Sequence, residues 1–184
     1  MSLVSFLTTV VGALKEAKIP FMLTGPLAAA FYGTPRATQD IDLIIEPAPE
    51  NLERLVDSLE SAGLYVDRGS AREALRNGSQ FNAIDPSSGW KADLIFRKQR
   101  AFSETEFARR GTNEILGIEV DLPTLEDLLI AKLEWSELGD SELQRRDIRE
   151  LLELAGDSLD EAYLSRWVAT LGLTAAWERV RSAK

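Results

Sequence analysis

Two aspartates bracket one isoleucine at the head of an apolar run, Asp40-Ile41-Asp42-Leu43-Ile44-Ile45, and this stretch constrains the fold more than any other. The isoleucines and leucine make it a buried strand by pattern. In a strand, residues i and i+2 project from one face, so Asp40 and Asp42 point together while Ile41 points into the opposite layer. Two like charges side by side repel. The arrangement is tolerated where the strand end faces water, or where a cation sits between the carboxylates. Mg²⁺ suits such a place, because it takes an octahedral shell of one or two carboxylates, substrate phosphates and water.

The rest of the 184-residue chain supplies the elements around that strand. Val4 to Ala17 has helical apolar spacing and stops at "KIP"; Phe21 to Thr24 is a short apolar run fit for a buried strand, and Gly25 to Tyr32 is an Ala-rich helix. "PAPENLERLVDSLESAG" reads as a helix begun by proline and closed by Gly63. Gln80 to Ile84 and Ala92 to Phe96 are strands joined by "DPSSGW", a hairpin loop by its Pro, Ser and Gly. From Pro123 onward the pattern is helical, with breaks at Gly139 and Gly156. Order and type predict an α/β (α+β) chain, with a small mixed sheet and flanking helices over residues 1–120 and a helical C-terminal subdomain over 121–184.

Composition excludes whole classes of chemistry. With no cysteine and no histidine there are no disulfides, thiolate nucleophiles, imidazole metal sites or His-based triads, which leaves carboxylates as metal ligands and makes any metal a hard one. The lack of disulfides fits a cytoplasmic location. No stretch approaches the roughly 18 apolar residues of a membrane span, and the N-terminal segment has no signal-peptide pattern. A net charge of −9 argues against a protein that coats nucleic acid. Basic residues nonetheless outnumber acidic ones between Arg68 and Arg110, where either a local basic surface or a solvated face of mixed charge is expected.

Three neighbours of the aspartate pair favour the metal. Asp93 interrupts the apolar strand "KADLIF", either as a third carboxylate beside the first two or as an acid at a hairpin edge. Thr24-Gly25 joins a strand to a helix N-terminus, where free N–H groups favour a phosphate. Arg36 and Thr38, in the loop before Asp40, are placed to reach a triphosphate by a forked hydrogen bond and a hydroxyl contact; a plain exposed loop is the alternative.

The Gly-led strand-helix turn, the small-residue helix, "GTPRAT", "DIDLII" and the later lone Asp together resemble the DNA polymerase β-like nucleotidyltransferase superfamily. The wording is most similar to the branch with abortive-infection toxins and the aminoglycoside and lincosamide nucleotidyltransferases. "LPTLEDLLIAKLEWSELGDSELQRRDIREL" is similar to the segment those proteins place after the core. The resemblance implies that Asp40, Asp42 and Asp93 bind Mg²⁺ and are catalytic, with Asp93 also the general base. It implies that Thr24 and Gly25 form the phosphate turn, that Lys132 meets the triphosphate of a bound NTP such as ATP, and that Asp147 orients Lys132. The implied acceptors are tRNA, for a toxin with an antitoxin partner, or a small antibiotic molecule. A non-catalytic nucleotide-binding or interaction module is a further alternative. One position departs from the pattern: the second turn residue is Pro26 rather than Gly or Ser, which removes one backbone N–H from the phosphate turn. Glu126, Asp127 and the four tryptophans are expected to be structural.

Overall fold

The computed structural model describes residues 1–35 and 37–182. Helix α1 (Leu3–Glu16) is capped by Ser2, whose hydroxyl accepts from the Ser5 N–H, and leads into β1 (Phe21–Thr24), α2 (Gly25–Phe31) and β2 (Asp40–Ile45). Helix α3 (Pro49–Ser61) begins on a proline, where the missing N–H would have had no helical partner. There follow β3 (Tyr65–Val66), α4 (Arg68–Asn77), β4 (Gln80–Ile84), β5 (Lys91–Phe96) and α5 (Ala101–Ala108). A hairpin of β6 (Gly111–Ile115) and β7 (Ile118–Leu122) precedes α6 (Leu125–Leu138), α7 (Glu142–Ala155), α8 (Glu161–Thr170) and α9 (Thr174–Ser182).

Five strands form one mixed sheet in the order β1-β2-β5-β4-β3. Strands β1 and β2 are antiparallel, β2 and β5 parallel, and β5 and β4 antiparallel, so the expected β4–β5 hairpin is present and β5 lies in the middle of the sheet. The chain reaches that parallel neighbour by a crossover through α3, β3, α4 and β4, which closes no tight turn and so leaves little local trace in sequence. Burial alternates strictly along β2 and β5. Ile41, Leu43, Ile45, Ala92 and Leu94 are fully buried and share a cluster with Phe6, Leu7 and Val10 of α1 and Leu52, Leu55 and Leu59 of α3. The opposite face carries Asp40, Asp42, Ile44, Lys91, Asp93 and Ile95, all partly accessible.

The same apolar cluster runs on through Leu128, Leu129 and Leu133 of α6, Ile148 of α7 and Leu164 and Val168 of α8. Helix α6 starts on Thr124, whose hydroxyl accepts from the Asp127 N–H. Asp127 itself is fully buried; its carboxylate accepts from the Tyr163 hydroxyl at 2.5 Å, from the Arg109 guanidinium at 3.0 Å and from the Thr124 hydroxyl at 2.9 Å. This structural role, expected for a residue in the first helical turn, extends to tying α8 to α6. Among the described residues no helix is long and apolar enough to cross a membrane.

Candidate active site

The strand register assembles the acidic residues. In the β2–β5 ladder Asp42 lies opposite Asp93 and Asp40 opposite Lys91, so these four side chains form a square on the accessible face of the sheet. Asp93 is therefore in the centre of the sheet, not at a hairpin edge. Burial raises the pKa of Asp42 to about 6, and the nearby charges of Asp93 and Asp40 push the same way, while Lys91 and Lys132 oppose them. Three carboxylates crowd one spot, and a cation beside them is electrostatically favoured.

The cation beside them in this structure is Lys91. Its ammonium lies 3.4 Å from Asp40 Oδ1 and 3.2 Å from Asp93 Oδ1, bridging the two acids. Asp93 also accepts a hydrogen bond from the Asn82 amide, across the β4–β5 pair. The three carboxylates do not close into a ligand cage: among the described residues, no group of three acidic side chains is arranged to hold one ion. The donor chemistry still suits a hard divalent ion, since Asp42 and Asp93 offer carboxylate oxygens on one face of paired strands, and a flexible lysine is what stands between Asp40 and Asp93.

Gly25 sets the other wall. Thr24 pairs with Asp42 in the β1–β2 ladder, and at Gly25 the chain turns into α2 with φ +65°, in the left-handed region that glycine adopts freely. A Cβ at this position would collide with the Asp42 carboxylate. Gly25→Ala is thus expected to cost about 1–2 kcal/mol for the backbone conformation alone and to push Asp42 off its position. Both effects are measurable, as a lower melting temperature and as weaker binding of divalent ions. Pro26 is buried within the first turn of α2. Thr38 is spent locally, its hydroxyl accepting from the Asp40 N–H at 3.0 Å and donating to the Asp40 carbonyl at 3.1 Å, so it steadies the start of β2. Arg36 lies outside the described residues.

A cavity of about 370 Å³ opens from this corner and runs along the sheet under α6. Thr24, Gly25, Asp42, Asp93, Lys132 and Gln144 line it, together with Arg100, Ser103, Glu106, Glu134 and Trp135. Lys132 is only 3% exposed, and its ammonium donates to Asp147 at 2.8 Å and to Gln144 at 3.1 Å. The expected Lys132–Asp147 pair is present and reaches the same cavity as Asp42. Arg100 makes a forked contact with both oxygens of Glu134, at 2.6 and 2.5 Å.

Several of these groups have a weak sequence signal. Lys91 stands two residues before Asp93, hence on the same strand face, and that spacing alone brings it to the acids. Glu106 follows Phe102 by one helical turn, so in a helix it shares the side that Phe102 buries; the helix itself is too short and polar to stand out. Trp135 is half exposed at the cavity wall, with Lys98 over its ring at 5.9 Å. The expected basic surface between Arg68 and Arg110 is mostly neutralised: Arg68 pairs with Asp57 and Glu60, Arg72 with Glu53, Arg97 with Glu46, Arg100 with Glu134, Arg109 with Asp127 and Arg110 with Asp121.

A mixed sheet that sets an Asp-x-Asp strand beside a third acid, with a glycine turn at its edge and a helical roof, defines the nucleotidyltransferase fold. Solved structures bear this out. The chain superposes on ANT(2")-Ia in complex with adenylyl-2"-tobramycin with a TM-score of 0.57 at 15% identity, covering 99% of this chain and 98% of that one. It matches an antigenic nucleotidyltransferase-like protein from Paracoccidioides brasiliensis with a TM-score of 0.55 at 20% identity, over 94% and 91% of the two chains. For the lincomycin-bound lincosamide antibiotic adenylyltransferase LnuA the TM-score is 0.55 at 14% identity, over 82% of this chain and 96% of that one. No protein-family model matches the sequence, and no curated protein does. The resemblance read from the sequence therefore holds at the level of the fold.

Proposed function

We propose that this protein is a Mg²⁺-dependent nucleotidyltransferase of the cytoplasm, which moves a nucleoside monophosphate from an NTP to an acceptor hydroxyl and releases pyrophosphate. The observation that carries the reading is the placement of Asp42 opposite Asp93 on paired strands, at the wall of a cavity that Lys132 also lines. Asp40, Asp42 and Asp93 are the residues that would hold Mg²⁺, which when bound neutralises phosphate charge and polarises the reacting phosphoryl group. Lys91 must give up its contacts with Asp40 and Asp93 for that to happen, and its ammonium is then available to the phosphates.

Asp93 takes the proton of the acceptor hydroxyl, and the Asn82 amide holds the carboxylate in place for that task. The hydroxyl oxygen attacks the α-phosphorus, a new P–O bond forms, and the bond to pyrophosphate breaks with its electron pair. Lys132, held by Asp147 and Gln144, supplies a fixed positive charge toward the departing phosphates. Residues 1–120 act as the catalytic core, and 121–184 contribute this lysine.

For the acceptor, a tRNA end modified by a toxin with an antitoxin partner is one reading. A small hydroxylated molecule is the other, and two observations support it. Arg68, Arg72, Arg97, Arg100, Arg109 and Arg110 are engaged by carboxylates and so give RNA little to hold. Two of the structures that share the fold are of antibiotic-modifying proteins by name, one holding adenylyl-2"-tobramycin and one a lincosamide adenylyltransferase. Incubation with each α-labelled NTP and Mg²⁺, against total tRNA and against aminoglycosides and lincosamides, tests both. Label is expected on one acceptor class, only with Mg²⁺ present. No transfer to either class, with no calorimetric binding of any Mg·NTP, would return the protein to a non-catalytic module.

A further inference from the structure

One buried acid in the cavity has no part in the chemistry above. Glu106 on α5 is 4% exposed, lines the cavity, and its Oε1 atom is buried with no hydrogen-bond partner. Buried polar atoms are almost always paired, so an orphan of this kind calls for an explanation, and for a residue lining a cavity a bound molecule supplies one. The charged groups around it are already committed. Asp127 is held by Tyr163, Arg109 and Thr124, Glu134 by Arg100, and Lys98 lies over the Trp135 ring.

We infer that the part of the cavity around Glu106 is the nucleoside subsite, and that Glu106 hydrogen-bonds the edge of the donor's base. This rests on the nucleotidyl-transfer reading and adds to it the residue that meets the nucleoside. Gly25, Asp42 and Lys132, which the proposed reaction sets at the metal and the phosphates, line the same cavity as Glu106, and the nucleoside is tethered to the phosphates by a covalent bond. The next positions along the two strands are Ile44 and Ile95, two residues or roughly 7 Å from the aspartates. With Leu128 and Ala131 of α6 they give the cavity apolar walls beside which a flat ring is shielded from water. Glu106 stands in this same cavity. Burial, followed by the charges of Asp127 and Glu134, raises its pKa to about 8 against the opposing effect of Arg100 and Lys98. At neutral pH it is then mostly a carboxylic acid, with one O–H donor beside one acceptor, the complement of a base edge that offers an acceptor beside an amine or imide N–H.

Calorimetry of the wild type, Glu106→Met and Glu106→Gln with the four Mg·NTPs and with Mg·tripolyphosphate tests the assignment. Glu106→Met is expected to weaken the best-bound NTP at least tenfold, to leave tripolyphosphate within twofold, and to melt higher than the wild type without ligand, since it removes the orphan oxygen. Glu106→Gln, which keeps a donor beside an acceptor, is expected to retain most of the affinity. Unchanged NTP binding by Glu106→Met, with or without a raised KM for the acceptor, overturns the nucleoside assignment and leaves the transferase reading intact. An equal loss for tripolyphosphate overturns it too, as general damage to the site. A wild type that binds tripolyphosphate but no NTP, or neither, removes the parent reading and this one together.

Discussion

Asp42→Asn is expected to abolish nucleotidyl transfer while leaving the protein at least as stable as the wild type. The two halves of that result have one cause. Asp42 sits against Gly25 with Asp93 directly across the ladder and Asp40 two residues back; burial first, and then repulsion from Asp93 and Asp40, raises its pKa to about 6. A neutral amide of the same shape relieves that repulsion, so the melting temperature should hold or rise. The same amide is a poor ligand for a hard cation, and losing several kcal/mol of transition-state charge stabilisation corresponds to a fall of about a thousandfold or more in rate. Pyrophosphate release with Mg·NTP and acceptor measures one half, thermal denaturation the other. Transfer at the wild-type rate would remove Asp42 from the mechanism, and a sharply lower melting temperature would make it a structural residue.

Asp147→Ala should carry the largest cost to folding. Lys132 and Asp147 are both almost fully buried, 2.8 Å apart, between α6 and α7. Removing one member of such a pair typically costs 3–5 kcal/mol, because the other stays charged in a poorly solvating place; the expected loss here is about 3 kcal/mol, since Gln144 still accepts from Lys132. The double variant Lys132→Met, Asp147→Leu replaces the pair by apolar groups and is expected to recover most of that stability. It should remain inactive, because the charge aimed at the phosphates is gone. Urea denaturation of the two single variants and the double gives the coupling, and pyrophosphate release gives the activity. An active double variant would make the pair purely structural.

How much of this was legible beforehand depended on whether the signal was local. Strands β1, β2, β4 and β5 stood out because each is an apolar run with turn residues at its ends, and the two-residue period placed Asp40 and Asp42 on one face. Helices α4 and α5 carry little local signal; α4 is mostly polar and α5 has no clear apolar stripe. Strand β3 has two residues, too few for any period. The opposition of Asp42 and Asp93 across a parallel ladder could be guessed only from strand character, as the crossover between their strands runs from residue 46 to residue 90. Charge counting misled for a similar reason. Arg100 and Arg109 look like free cations along the chain, yet their partners Glu134 and Asp127 arrive from a later helix.

The loop between β4 and β5 has a consequence beyond its own turn. Asp85 is buried, and its carboxylate accepts from the Ser87 N–H at 3.0 Å and from the hydroxyls of Ser87 and Ser88, which draws the loop into a knot. That knot fixes where β5 begins relative to β4. Strand side chains alternate, so a one-residue slip of β5 against β4 would carry Asp93 into the oily layer beneath the sheet and bring Leu94 up in its stead. The loop acts as an alignment pin for the acidic face of the sheet.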